Sequence, residues 1–138
     1  MKPCSSNKTK KNIYVAHSKS MDYKKEIYEP FRNSPLNEAC NIVLPHEHSD
    51  KPFNSREFLK DCEYMIAEVS HKSTGLGVEM GWADAYGTVV LCFHKEGVKP
   101  SESIKEVAYA IIEYSESEGL LTKVLESFPL LLNQTTDK

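Results

Sequence analysis

Apolar residues fall in short, nearly unbroken runs, and the polar stretches between them carry apolar positions three or four residues apart. The runs are Ile13-Tyr14-Val15-Ala16, Asn41 to Leu44, Tyr64 to Val69, Thr88 to Phe93 and Ala110 to Tyr114. Their length suits strands, and a run that is apolar on both faces, as Tyr64 to Val69 mostly is, suits a parallel strand covered by helices on each side. Helical spacing through Tyr23, Ile27 and Phe31 predicts a helix over 22–31, which Pro30 and Pro35 should end or kink. Asn54 or Ser55 is a natural N-cap for a second helix carrying Phe58, Leu59 and Cys62. Gly75 to Gly77 leads into a third helix through Trp82 and Ala85. A short helix over 101–107 and a closing helix over 116–128, with Leu120, Val124 and Phe128 on one side, complete the pattern. Strands alternating with helices predict an α/β fold on a five-stranded parallel sheet with right-handed crossovers. Ligands of such sheets bind beyond the carboxyl ends of the strands, so the loops at 17–20, 70–77 and 94–103 are expected to line a single cleft.

The 138 residues suit one domain, expected over 12–132 between polar tails at 1–11 and 133–138. With 40% hydrophobic and 27% charged residues, the composition argues against wholesale disorder, a fibrous repeat or a membrane bundle. A formal net charge of -3 gives no overall drive toward a nucleic-acid polymer, so any phosphate contact must be local. Cys4, Cys40, Cys62 and Cys92 are far apart in sequence and form no Cys-x-x-Cys pair, so neither a zinc cage nor a disulfide framework is expected. The basic start lacks the apolar run of a secretory signal and no later stretch could span a bilayer, so a cytoplasmic protein without membrane contact is expected.

The chemistry concentrates after the third strand, in Ser70 to Ala83. Gly75 and Gly77 allow backbone shapes closed to other residues and a close ligand approach. Ser73 can donate to a phosphate or hydroxyl, and Glu79, read as lying in the first helical turn, is favoured as an anion by the helix dipole. An ionised Glu in a cleft is a candidate nucleophile. The same residues also fit a tight strand-to-helix turn followed by a surface carboxylate. A dinucleotide-binding loop fits less well, because the third glycine falls at 81, four places after Gly77, where that pattern wants three.

Ala67-Glu68-Val69-Ser70, then Ser73, Gly75, Gly77, Glu79, Gly81 and Ala83, with the later strand Val89-Val90-Leu91-Cys92, resemble the nucleoside 2-deoxyribosyltransferase superfamily. Within it the 2′-deoxynucleoside 5′-phosphate N-hydrolases are most similar, over roughly residues 12–128. The resemblance implies a flavodoxin-like or Rossmann-like doubly wound sandwich. It also implies a glycosidase that needs no cofactor and splits a (deoxy)nucleoside 5′-monophosphate into free base and sugar 5-phosphate. Glu79 would attack the anomeric carbon, and Tyr14 and Ser18 would face the nucleotide. Gly75 and Gly77 would shape the binding loop. Ser73 and Ser103 would take the 5′-phosphate, Ser103 from the neighbouring subunit of a homodimer. Two positions depart from the pattern. Ser55, beside Asn54, stands where an Asp is usual, and Lys19 and Ser20 stand where the first loop usually offers an Arg. These departures keep open a nucleotide-binding or sensor module without turnover, alongside a deoxyribosyltransferase or a dinucleotide-cleaving enzyme.

Breaking an N-glycosidic bond builds positive charge on the sugar and negative charge on the departing base. Without the Asp, base departure would fall to His17, His46, Glu47 or Tyr14, each of which has an equally ordinary structural role. His46-x-His48 without a third nearby ligand is a weak zinc signal, and no metal is expected. Trp82, at helical spacing with Val78 and Ala85, reads as core or dimer interface rather than a stacking platform.

Overall fold

Five strands form one all-parallel sheet in the order β2-β1-β3-β4-β5: β1 (Lys11–His17), β2 (Cys40–Val43), β3 (Tyr64–Glu68), β4 (Val89–Lys95) and β5 (Ala110–Tyr114). The computed structural model describes residues 10–49 and 54–128, so Cys4, most of both polar tails and residues 50–53 lie outside the described residues. Ile13 stands opposite Ile42, Val15 opposite Ile66, Ile66 opposite Leu91 and Phe93 opposite Ile112, so apolar side chains form continuous bands across the sheet. This is the flavodoxin-like order, and the expected doubly wound α/β sandwich is what the chain adopts. The connection from β1 leads to one side and that from β2 crosses to the other, which leaves a crevice over the carboxyl ends of β1 and β3.

The alternation of side chains along each strand fills two cores. Ile13, Val15, Ile66, Leu91 and Phe93 pack on one face beneath α1 (Glu29–Arg32) and α5 (Leu120–Ser127). Tyr14, Ala16, Met65, Ala67, Val90 and Cys92 pack on the other beneath α3 (Ser55–Leu59) and α4 (Thr74–Ala85). Cys40, Cys62 and Cys92 are buried free thiols. Among the described residues no helix is long and apolar enough to cross a membrane.

Several boundaries differ from the sequence expectation for local reasons. Pro30 does not end its helix. It lacks an N–H and would press on the carbonyl four residues back, and the chain widens into a π turn over Lys24–Tyr28, where the Glu29 N–H donates to the Lys24 carbonyl. The helix stops at Asn33, and Pro35, with its φ preset, opens an unanticipated short helix, α2 (Pro35–Ala39). The helix expected over 116–128 starts only at Leu120, because Gly119 at φ 85 turns the chain first. The segment over 101–107 is a 3-10 turn, Glu102–Glu106, and β1 already begins at Lys11, inside the expected tail.

A buried carboxyl group ties three strand ends together. Glu68, fully inaccessible, accepts from the Ser70 N–H (2.9 Å), the Ser70 hydroxyl (2.7 Å) and the Tyr114 hydroxyl (2.5 Å). The Ser70 hydroxyl oxygen in turn accepts from the Lys95 N–H at 2.8 Å. Tyr114→Phe removes one donor from an acceptor that water does not reach, and a loss of about 1–3 kcal/mol in urea-unfolding stability is expected. An unchanged midpoint would show that this link carries no weight.

Candidate active site

Helix α4 starts because Ser73 caps it: its Oγ accepts from the Leu76 N–H at 3.3 Å. The expected glycine loop is therefore already helix. Gly75 and Gly77 lie in its first turns, and the positive-φ glycines are Gly87, Gly97 and Gly119 instead. Neither Gly75 nor Gly77 has the positive φ that would exclude other residues, and a Cβ added at either would meet nothing within 4 Å. Glu79 is the sixth residue of α4 and falls in its second turn, where the dipole has faded.

Burial and two hydroxyl groups set the state of Glu79 instead. Tyr14, fully buried on β1, donates its hydroxyl to Glu79 Oε2 at 2.8 Å. The hydroxyl of Ser55, buried at the start of α3, hydrogen-bonds to the same pair. Burial pushes the Glu79 carboxyl above the ordinary carboxylate range, and the hydrogen bonds from Ser55 and Tyr14 pull it partly back. Burial, with the Glu79 charge beside it, drives the Tyr14 phenol far upward, so it stays a donor. Ser55, read from the sequence as a possible N-cap and as standing where an Asp is usual, thus lies in the candidate site, while Asn54 supplies the cap of α3.

Glu79 borders two hollows at the carboxyl end of the sheet. The first, about 360 Å³, is walled by the turn His17 to Ser20, by His46, and by Lys72 and Ser73 before α4. The second, about 300 Å³, lies between α3 and α4, with Asn54, Ser55 and Arg56 on one side and Val78 and Trp82 on the other. Gly75 borders both. Trp82 is half-buried, with the Arg56 guanidinium 5.8 Å from its ring centroid, so it serves the core and a hollow at once.

The remaining expected residues divide. Ser18 lines the first hollow and is nearly buried, its Oγ accepting from the Ser20 N–H at 3.0 Å. Ser73 lines it too. Tyr14 lines neither hollow and lies beneath Glu79 as its support. Gly77 and Ser103 border a third hollow of about 270 Å³, with His71 and Ser101, on the far side of Ser73 and Leu76. The single cleft expected from the three loops is therefore split: the first and third share one hollow, and the fourth shares another with the third.

Among the four groups considered for assisting a leaving group, two are committed elsewhere. Glu47 is gripped by Arg32, Nε and Nη2 each at 2.8 Å, which holds its carboxyl below the ordinary range. His17 Nδ1 faces the Ser18 carbonyl at 3.0 Å and must carry the proton, so Nε2 accepts from the Tyr28 hydroxyl at 2.8 Å. Burial lowers its pKa, which keeps this neutral tautomer. Tyr28 also accepts from the His46 N–H at 3.0 Å, fixing the loop after β2. His48 points outward toward Glu47, 3.6 Å away, while His46 turns inward, and among the described residues no three His, Cys, Asp or Glu side chains converge as metal ligands.

A carboxyl group thus stands between a hollow with hydroxyls and two lysines and a hollow with an aromatic wall. That arrangement can hold an anion on one side and a flat ring on the other, with an electrophilic carbon between. No family model matches the chain, and no curated protein matches it. Among solved structures, the chain is similar to the CMP N-glycosidase BcmB of Clostridium botulinum, with TM-score 0.60 and 21% identity over 83% of this chain and 98% of that one. It is also similar to a putative pilus assembly-related protein of Burkholderia pseudomallei, with TM-score 0.54 and 8% identity over 90% of each chain. At these identities the two likenesses establish the shared α/β fold.

Proposed function

We propose that this protein is an N-glycosidase of the nucleoside 2-deoxyribosyltransferase superfamily that splits a nucleoside 5′-monophosphate into free base and sugar 5-phosphate. The observation that carries the reading is Glu79, a carboxyl group held by Tyr14 and Ser55 at the junction of the two hollows. The likeness to a CMP N-glycosidase over most of both chains supports it. In this reading the phosphate lies in the first hollow against Lys19, Lys72, Ser18 and Ser73, the sugar lies over Glu79, and the base enters the second. Charge-assisted hydrogen bonds to phosphate run about twice the strength of neutral ones, which favours a monophosphate over a bare nucleoside.

Glu79 attacks C1′ as the C1′–N bond breaks, and water then opens the resulting ester. Ser103 lies outside the Glu79 hollow of its own chain, as a phosphate contact donated to the partner in a homodimer requires.

Glu79→Gln keeps the shape and removes the nucleophile. Base release from CMP, followed by chromatography, is expected to fall roughly 10³-fold or more with CMP binding retained. Tight nucleotide binding by wild type with no base release at high enzyme concentration would overturn the enzyme reading in favour of a binding module, to which Ser55 in place of Asp would belong.

The pH profile tests the state of Glu79. The attack needs the ionised form, so activity is lost as pH falls through a pKa lying above the ordinary ~4.3. Tyr14→Phe removes a hydrogen bond that favours the anion and raises that pKa further. The acid limb of kcat/KM is expected to move upward in pH. A limb that stays in place would show that Tyr14 does not tune the carboxyl.

A further inference from the structure

We propose that Arg56 is the specificity-determining residue of this site: its guanidinium reads the carbonyl beside the glycosidic nitrogen of a pyrimidine and neutralises the charge the base gathers as it departs. The assignment rests on the glycosidase reading and deepens it. Among the described residues Arg56 is the one cation lining the second hollow, whose other wall is Trp82 and Val78 and whose inner edge is Glu79. The guanidinium is already oriented. It lies over Trp82, 5.8 Å from the ring centroid, and its Nε donates to the Tyr86 hydroxyl at 3.2 Å. Its two terminal nitrogens donate no hydrogen bond among the described residues, which leaves a fork of N–H groups for a ligand.

The chemistry of departure needs such a group. As a Glu79 oxygen bonds to C1′, the electron pair of the C1′–N1 bond passes to the pyrimidine and spreads onto its 2-carbonyl oxygen. A guanidinium hydrogen-bonded to that oxygen stabilises the anion without giving up a proton. The base then takes its proton from water, and the hydroxyl of a second water molecule ends on C1′ when the ester opens. Of the other groups considered for this step, Glu47 is held by Arg32, His17 is held by Ser18 and Tyr28, and His46 borders the first hollow. A purine has no carbonyl next to its glycosidic nitrogen, so the same fork favours CMP and UMP over AMP.

The test compares two leaving groups. Wild type, Arg56→Gln and Arg56→Lys are assayed on CMP, UMP and AMP, and on 4-nitrophenyl riboside 5-phosphate, whose nitrophenolate leaves without help. Arg56→Gln is expected to lower kcat on CMP and UMP about 10²-fold, to keep nitrophenol release within a few-fold of wild type, and to narrow the preference over AMP. Arg56→Lys, which keeps the charge, is expected to recover part of the loss. Equal losses on both kinds of leaving group, or no loss on CMP, would overturn the assignment. If wild type releases neither base nor nitrophenol, the glycosidase reading itself falls and takes this assignment with it.

Discussion

The hydroxyl of Tyr14 on the Glu79 carboxyl is the contact on which the site depends, because it joins the centre of the sheet to the middle of α4. Tyr14 is fixed by its place on β1, between β2 and β3, where its ring is completely covered. Glu79 is fixed by the face of α4 that packs Leu76, Met80 and Ala83 onto the same core. Neither side chain can move without disturbing packing that the whole fold needs. The proposed nucleophile is therefore positioned by the core itself and not by the loops around it.

Burial and hydrogen bonding act on that carboxyl in opposite directions, and the balance has a chemical use. A carboxylate fully solvated by water is a weak nucleophile, and one buried without donors would hold its proton. Two hydroxyl donors, Tyr14 and Ser55, in a partly covered pocket give an intermediate case, in which burial raises the carboxyl's pKa and the hydrogen bonds pull it partly back. Ser55 is the smallest side chain that can still donate here, and its choice over a carboxylic acid keeps a second negative charge away from Glu79.

Much of the architecture was legible in the sequence, because strands buried on both faces leave continuous apolar runs that no loop would carry. The carboxyl end of the sheet followed from the strand order, Glu79 and Ser73 from the segment after the third strand, and Ser18 from the resemblance alone; the first hollow brings the three side chains together. Other features depended on contests that composition does not decide. The glycines at 75 and 77 look like a loop, yet the Ser73 cap starts the helix before them. Pro30 looks like a stop, yet a π turn absorbs it. Arg56 was invisible because α3 has only five residues, too few for a periodic pattern, and its direction is set by packing against α4. The signal that was available lay on α4, where positions 75, 78, 79 and 82 share a helical face and so place Val78 and Trp82 beside Glu79.

The hydrogen bonds from the His46 N–H to Tyr28, from Tyr28 to His17 and from His17 to the Ser18 carbonyl all point the same way along the chain of groups. Each donor is thereby polarised by the one behind it. The ends of β1 and β2 are welded into one stiff jaw by this relay. The rest of the first hollow's wall is the start of α4, with Lys72, Ser73 and Gly75, itself anchored through Glu79 to Tyr14.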